Sequence, residues 1–356
     1  MSEIMKIAVD AMGGDYAPAV VIEGLTMALY DFPEYELVVV GHVDKLAYLM
    51  EKFGIDHHPR ITKVHAEEVV EMSDPSTTAL RGKRHSSINV CAKLMKEGKV
   101  DAVVSAGHTG AAVAACTVLV RTLPGISRPG LCVSMPAQGG RFILADGGAN
   151  TDCDPVNLVQ FALMGEIYSQ FLFGIERPRI GLLSVGSEDI KGNDLTKQVF
   201  KMLSALPINF IGNVEGDNMF ECRADVVVCD GFTGNIVLKT SEGLARSTMY
   251  WLKSVFTKNA LRMTSAFLSK NAFRELKAFG DSEELGGAPL MGINGTCIIG
   301  HGSSSPKAVR NAIKMAGQSV KFGVKEKIAA RWEEMKPILD AYNEARAAEK
   351  AALEKQ

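Results

Sequence analysis

At least five times in this chain a short apolar run breaks into glycine beside Asp, Asn, Thr or Lys, and then into a helix-forming stretch. That alternation limits the fold more than any other feature, because repeated strand–turn–helix units bury their strands in a mostly parallel sheet covered by helices. Residues 6–10, 35–41 and 60–66 read as the first strands, with helices over 18–30 and 43–53 between them. Further strands are expected near 101–106, 131–135, 141–145, 180–185, 209–214, 224–229 and 296–299, while 286–292 reads as a turn. Asp74-Pro75-Ser76 reads as the opening of a helix that holds Arg81, Lys83, Arg84 and His85. In an open parallel sheet the loops at strand C-termini lie along one edge, where ligands bind, so the glycine-polar loops predict one shared polar cleft.

The stretch Gly181 to Asp194, G-L-L-S-V-G-S-E-D-I-K-G-N-D, shows the chemistry of these loops best. An apolar strand ends in a loop with one lysine, Lys191, and Asn193 or Asp194 can cap the helix that follows. A helix start gathers free backbone N–H groups and positive potential, so anions bind there. The plain alternative is a βα turn with a solvated lysine.

Composition removes several classes of function. The 356 residues are 47% hydrophobic and 22% charged, a globular composition with ample core for one large or two interleaved α/β domains. A net charge of −2 argues against a nucleic-acid partner, which would demand a basic excess. The seven cysteines are odd in number, widely spaced and mostly inside apolar runs, so they read as reduced core thiols. No Cys/His spacing fits a metal, and no metal or cofactor is expected. The N-terminus reads as a strand, not a signal peptide, and no run approaches the ~20 apolar residues of a membrane span.

Common catalytic signatures are missing too. There is no G-x-x-x-x-G-K-[ST], no G-x-G-x-x-G after the first strand and no G-x-S-x-G elbow. Cys229 and Cys297 lie in apolar runs and read as inert. Ser304 or Ser305 with Pro306 is explained by helix capping, whereas His301 sits between a strand and an anion-friendly helix start. What remains is a site of Gly, Asn, Thr, Asp, Lys and His without a covalent nucleophile. Such a site suits attack by a small bound anion, where holding reactants and neutralising charge do most of the work.

Residues 250–279 depart from the rhythm. Trp251, Phe256, Phe267 and Phe273 alternate with Lys258, Arg262, Lys270 and Arg274, giving a basic, aromatic, amphipathic helical pair. A dimer interface, an anionic membrane surface or an acidic protein partner would each suit it. The cluster Arg81, Lys83 and Arg84 reads as a solvated face or an acidic-partner contact.

Ala8-Val9-Asp10-Ala11-Met12-Gly13-Gly14-Asp15-Tyr16-Ala17-Pro18 closely resembles the N-terminal signature of the bacterial acyl-carrier-protein:phosphate acyltransferases, the PlsX family. The resemblance continues through Ser105-Ala106-Gly107-His108-Thr109-Gly110-Ala111, Asp146 to Asp152, Val185 to Asn193, Asp230 to Asn235 and His301-Gly302-Ser303. It covers residues 5 to about 325 in order. His108 stands where that family usually has asparagine, and Gly147 follows Asp146 where it usually has valine.

The resemblance implies a Rossmann-like α/β/α sandwich related to phosphotransacetylases, assembled as a homodimer. It is expected to be cytoplasmic, with peripheral association at the membrane. One α/β domain would span 1–325, with 250–279 as a helical insertion and 326–356 as a charged helix or tail. The implied reaction moves a long-chain acyl group from acyl carrier protein to inorganic phosphate, and the acyl phosphate feeds a membrane glycerol-3-phosphate acyltransferase. Lys191, His301 and Asn235 are the expected catalytic residues. Asp10, Gly13, Gly14, His108, Thr109, Asn150, Asn193, Asp230 and Thr233 are expected to bind substrate. Arg81, Lys83, Arg84, Trp251, Lys258, Phe267 and Lys270 are the expected partner or membrane contacts.

Overall fold

The computed structural model describes residues 4–75, 77–279 and 282–353. The chain opens with β1 (Met5–Asp10), α1 (Ala19–Asp31), β2 (Tyr35–Gly41), α2 (Val43–Lys52) and β3 (Ile61–His65), the βαβαβ unit expected from its apolar rhythm. A single turn α3 (Thr78–Arg81) and α4 (Ser87–Lys96) lead to β4 (Ala102–Ser105), and α5 (Thr109–Ala115) runs on as a π-helical turn. A hairpin of β5 (Gly130–Ala137) and β6 (Gly140–Ala145) precedes α6 (Pro155–Phe173), β7 (Ile180–Ser184), α7 (Asp194–Ser204), β8 (Phe210–Glu215) and β9 (Val226–Val228). Next come α8 (Gly231–Phe256), α9 (Ala260–Leu268), α10 (Lys270–Phe279), β10 (Ala288–Met291), β11 (Thr296–Ile299), α11 (Pro306–Phe322) and α12 (Val324–Leu353).

Helix boundaries follow local chemistry. Asn193 caps α7 by accepting the Thr196 N–H, and Ser305 caps α11 by accepting that of Ala308, with Pro306 at the first helical position. α6 starts on Pro155 and ends at Gly174 in the left-handed region, φ 69°, where a side chain would be strained.

Among the described residues eleven strands form one sheet, in the order β3-β2-β1-β4-β11-β10-β5-β6-β9-β7-β8. The pairings β1–β2, β1–β4, β4–β11 and β2–β3 are parallel, as are β6–β9, β7–β9 and β7–β8. Three antiparallel pairings, β11–β10, β10–β5 and β5–β6, separate these blocks, so the blocks run in opposite directions. Order and direction reverse together, which gives the sheet a rough twofold axis between β10 and β5. The sequence carries the same relation: Gly107-His108-Thr109-Gly110 after β4 matches Gly231-Phe232-Thr233-Gly234 after β9, and α11 and α6 each begin on proline.

Helices cover both faces of each half. α1 and α11 bury Ile22, Leu25, Leu29 and Ile313 on one face of the first half, and α4 and α5 bury Ile88, Cys91 and Ala112 on the other. In the second half α6, α7 and α12 surround Phe161, Tyr168, Ile180 and Val226. Each large aliphatic or aromatic side chain among these contributes about 1.5–3 kcal/mol by leaving water.

Four expectations change. The basic run after Asp74 is not one helix: α3 stops at Gly82, and Lys83 turns back to donate to Val69 O and to the Asp74 carboxylate, both at 2.7 Å. Ser76 lies outside the described residues. The glycine-rich segment 286–292 holds strand β10, because Leu290 pairs with both Cys297 and Leu131 and so bridges the two halves. The amphipathic stretch falls on three helices: residues 250–256 are the end of the 26-residue α8, which starts at the strand end, and α9 and α10 hold the rest. The first half of α12 is built into the core through Ile328, Trp332, Met335 and Leu339, and Arg331 pairs with Glu166 at 2.9 Å.

Candidate active site

Two trios of adjacent parallel strands end in the glycine-polar loops. In the first, Asp10 of β1, Ser105 of β4 and Ile299 of β11 lie in one row, so the loops beginning at Ala11, Ala106 and Gly300 leave the sheet together. The Asp10 carboxylate is buried, accepting the Ser105 hydroxyl at 2.7 Å and the Met12 N–H at 3.2 Å. Burial pushes its pKa up, and hydrogen bonds from Ser87, Ser105, Met12 and Gly13 work against that. Gly13 touches Gly107 so closely that a Cβ would fall 2.8 Å from the Gly107 nitrogen. The Asp15 N–H donates to Gly302 O at 2.8 Å, closing the trio.

His108 caps α5, its Nδ1 accepting the Ala111 N–H at 3.1 Å, and Thr109 begins that helix. His301 is exposed, with Nδ1 2.8 Å from the Ser303 hydroxyl and accepting the Ser303 N–H at 3.2 Å. A neutral imidazole that accepts at Nδ1 carries its proton on Nε2, so both rings keep Nε2 as the donor.

The second trio is β6, β9 and β7, whose residues Ala145, Val228 and Leu182 share a row. Asp146, fully buried, folds the loop after β6: Oδ1 accepts from the N–H groups of Leu131, Gly148 and Ala149, each at 3.0 Å. Oδ2 accepts from Asn150 N at 2.9 Å and Asn150 Nδ2 at 2.8 Å. Burial again raises the carboxyl pKa, opposed by these bonds. α8 starts directly on this loop. The Gly231 N–H donates to Asn150 O at 2.8 Å, and a Cβ on Gly234 would lie 1.9 Å from Asp146 O. Only glycine permits that approach.

Asp230 caps α8, accepting the Thr233 N–H and the Thr233 hydroxyl, both at 2.8 Å. Asn235 is exposed one turn into α8, its Cβ 3.2 Å from where a Cβ on Gly148 would stand. Lys191 is exposed in the loop after β7 and makes no ion pair among the described residues. That loop is anchored beneath by Asn213, whose Nδ2 donates to Glu188 O at 2.8 Å.

The expected residues therefore assemble as two groups. Asp10, Gly13, Gly14, His108, Thr109 and His301 form one; Lys191, Asn193, Asn235, Asn150, Asp230 and Thr233 form the other. They do not line one edge, because the two blocks of strands are antiparallel. Asn150, Asp230 and Thr233 spend their side chains on loop and helix contacts, Asn150 Nδ2 also reaching Pro129 O at 2.7 Å. They shape the site from behind.

Asp146 and Cys153 escaped the sequence reading as site residues. Asp146 had a local signal, an Asp followed by two glycines at a strand end. Cys153 had none: its half-buried thiol donates to Asn150 O at 3.5 Å, the carbonyl that also accepts the Gly231 N–H, and burial pushes its pKa up to about 11. Of the expected partner contacts, Arg81, Arg84, Trp251, Lys258, Phe267 and Lys270 are exposed, and Lys83 is the one already engaged. Lys270 lies over the Phe267 ring, 5.3 Å from its centroid.

The architecture is that of phosphotransacetylase-like α/β proteins. A phosphotransacetylase from Streptococcus pyogenes superposes with a TM-score of 0.61 at 17% identity, over 90% of this chain and 95% of its own. A branched-chain phosphotransacylase from Enterococcus faecalis gives 0.53 at 14%, over 89% and 99%. The chain belongs to the family described as fatty acid synthesis protein, which matches residues 5–327. Relatives named phosphate acyltransferase include one from Nitratiruptor sp., 44% identical over 94% of this chain and 99% of its own length. Another, from Thermodesulfovibrio yellowstonii, is 46% identical over 92% and 94%. The chain is an acyltransferase of that family.

Proposed function

We propose that this acyltransferase moves a long-chain acyl group from the thioester of acyl carrier protein to inorganic phosphate, with no covalent acyl-enzyme. The observation that carries this reading is that β6, β9 and β7 end side by side, so that the glycine loop set by Asp146, the first turn of α8 and the loop of Lys191, which makes no ion pair among the described residues, leave the sheet at one edge. A phosphate held there attacks the thioester carbonyl carbon. The new C–O bond forms, the C–S bond breaks, and the carrier thiolate leaves and takes a proton. Lys191 and Asn235 neutralise charge on phosphate and on the carbonyl oxygen, where oriented donors are worth most. His301 and His108, each with Nε2 as donor, contact the phosphate, and the proton that the leaving sulfur takes is the one the attacking hydrogen phosphate gives up as it is acylated.

The arm beyond Tyr250 supplies the apolar part. A groove of about 480 Å³ between α8, α9 and α10 is lined by Met249, Tyr250, Leu252, Phe256 and Phe273. Trp251 and Phe267 stay exposed beside Lys258, Arg262 and Lys270, which suits an anionic membrane, the acidic carrier or a second copy of the chain. None of the helices among the described residues is long and apolar enough to cross a membrane, so membrane contact would be peripheral.

Trapping the acyl phosphate with hydroxylamine tests the reaction. Palmitoyl acyl carrier protein plus phosphate should yield hydroxamate, and the coenzyme A thioester should yield much less. Equal or better turnover of the coenzyme A thioester would replace this reading with phosphotransacetylase-type chemistry.

A further inference from the structure

The edge that carries Lys191 also carries a second cation. Arg128 stands three residues before Leu131, whose N–H binds the Asp146 carboxylate at 3.0 Å. Because β5 is antiparallel to β6, the start of β5 and the end of β6 share that edge. The backbone on both sides of Arg128 is pinned. Ser127 donates its N–H and hydroxyl to Gln160 Oε1 at 3.1 and 2.9 Å and accepts from Asn157 Nδ2 at 2.6 Å, while Pro129 O accepts from Asn150. Between these clamps the Arg128 side chain is exposed and makes neither an ion pair nor a hydrogen bond among the described residues. Its charge lies near enough to Cys153, whose thiol donates to Asn150 O beside the start of α8, to favour the ionised thiol.

Strand spacing sets the scale. At about 4.8 Å per strand, the start of β5 lies roughly 10 Å to one side of β9 and the Lys191 loop roughly 5 Å to the other. A fixed backbone with a free guanidinium is suited to an external oxyanion, which the planar fork can grip through two oxygens. We propose that Arg128 binds the phosphate substrate at this site, holding it from the side of the α8 start opposite Lys191. The inference rests on the reading that phosphate is a substrate here.

Steady-state kinetics of the full chain test it, varying phosphate at saturating palmitoyl acyl carrier protein and the reverse, for wild type, Arg128→Ala and Arg128→Lys. Arg128→Ala should raise the KM for phosphate at least about tenfold and leave the carrier KM within about twofold. Arg128→Lys should recover part of the loss, since it keeps the charge without the fork. Melting curves matching wild type would show that both variants fold. An unchanged phosphate KM in Arg128→Ala overturns the inference alone. A rise confined to the carrier KM also overturns it, by moving Arg128 to the phosphodiester of the carrier's arm. Wild type that ignores phosphate overturns the functional reading as well.

Discussion

The Asp146 carboxylate accepts both the backbone N–H of Asn150, at 2.9 Å, and its side-chain Nδ2, at 2.8 Å, so one buried acid and one amide fold the loop on which α8 stands. Asn150 then reaches Pro129 O and ties the loop to the start of β5.

Asp146→Asn should be costly. All five bonds to the carboxylate come from N–H donors, so an amide NH₂ in its place would confront donors and leave them unmet. The expected loss is about 3 kcal/mol in urea unfolding, from stranded buried donors. A loss below about 1 kcal/mol would contradict the role given to the acid.

His108 is a cap as well as a candidate ligand. His108→Asn keeps an N-cap acceptor and should change stability by no more than about 0.5 kcal/mol, while His108→Ala should lose about 1 kcal/mol. Equal destabilisation by both in thermal unfolding would show that the Nδ1 bond to Ala111 does not matter.

Much of this was legible because it is local. Asn193, Ser305 and Pro306 announce helix starts within a few residues of themselves, and strand after strand falls where apolar runs predict it. The direction of the second half was not legible, since it depends on β10, four residues whose Leu290 pairs with Leu131, 159 positions earlier (290 − 131). Between Gly287 and Gly292 such a segment looks like a turn. The placing of Cys153 against Gly231, and of Trp332 in the core, likewise depends on partners far off in sequence.

Cys153 gives the pH dependence. Burial pushes its pKa up to about 11, and only the thiolate is nucleophilic, so roughly one thiol in a thousand is ionised at pH 8. Iodoacetamide should label Cys153 slowly at pH 8, faster with each unit up to about 11, and then level off. Cys153→Ser should keep most of the activity. Fast labelling at pH 7 with loss of activity in the serine variant would make the thiol a reactant.

Phe267 is 68% exposed on α9 with Lys270 over its ring, so it tests the membrane contact. Phe267→Glu should reduce flotation with anionic liposomes severalfold, because a charge replaces buried ring area. Unchanged flotation would remove the membrane from the roles of this arm.

Direct attack by bound phosphate is tested most sharply by rapid-quench measurement of free acyl carrier protein released from the palmitoyl thioester, with and without phosphate. Without phosphate no release above background is expected in the first turnover; wild type should release carrier only when phosphate is present, and Lys191→Ala at least about a hundredfold more slowly. A stoichiometric burst without phosphate would mean a covalent acyl-enzyme and contradict direct attack.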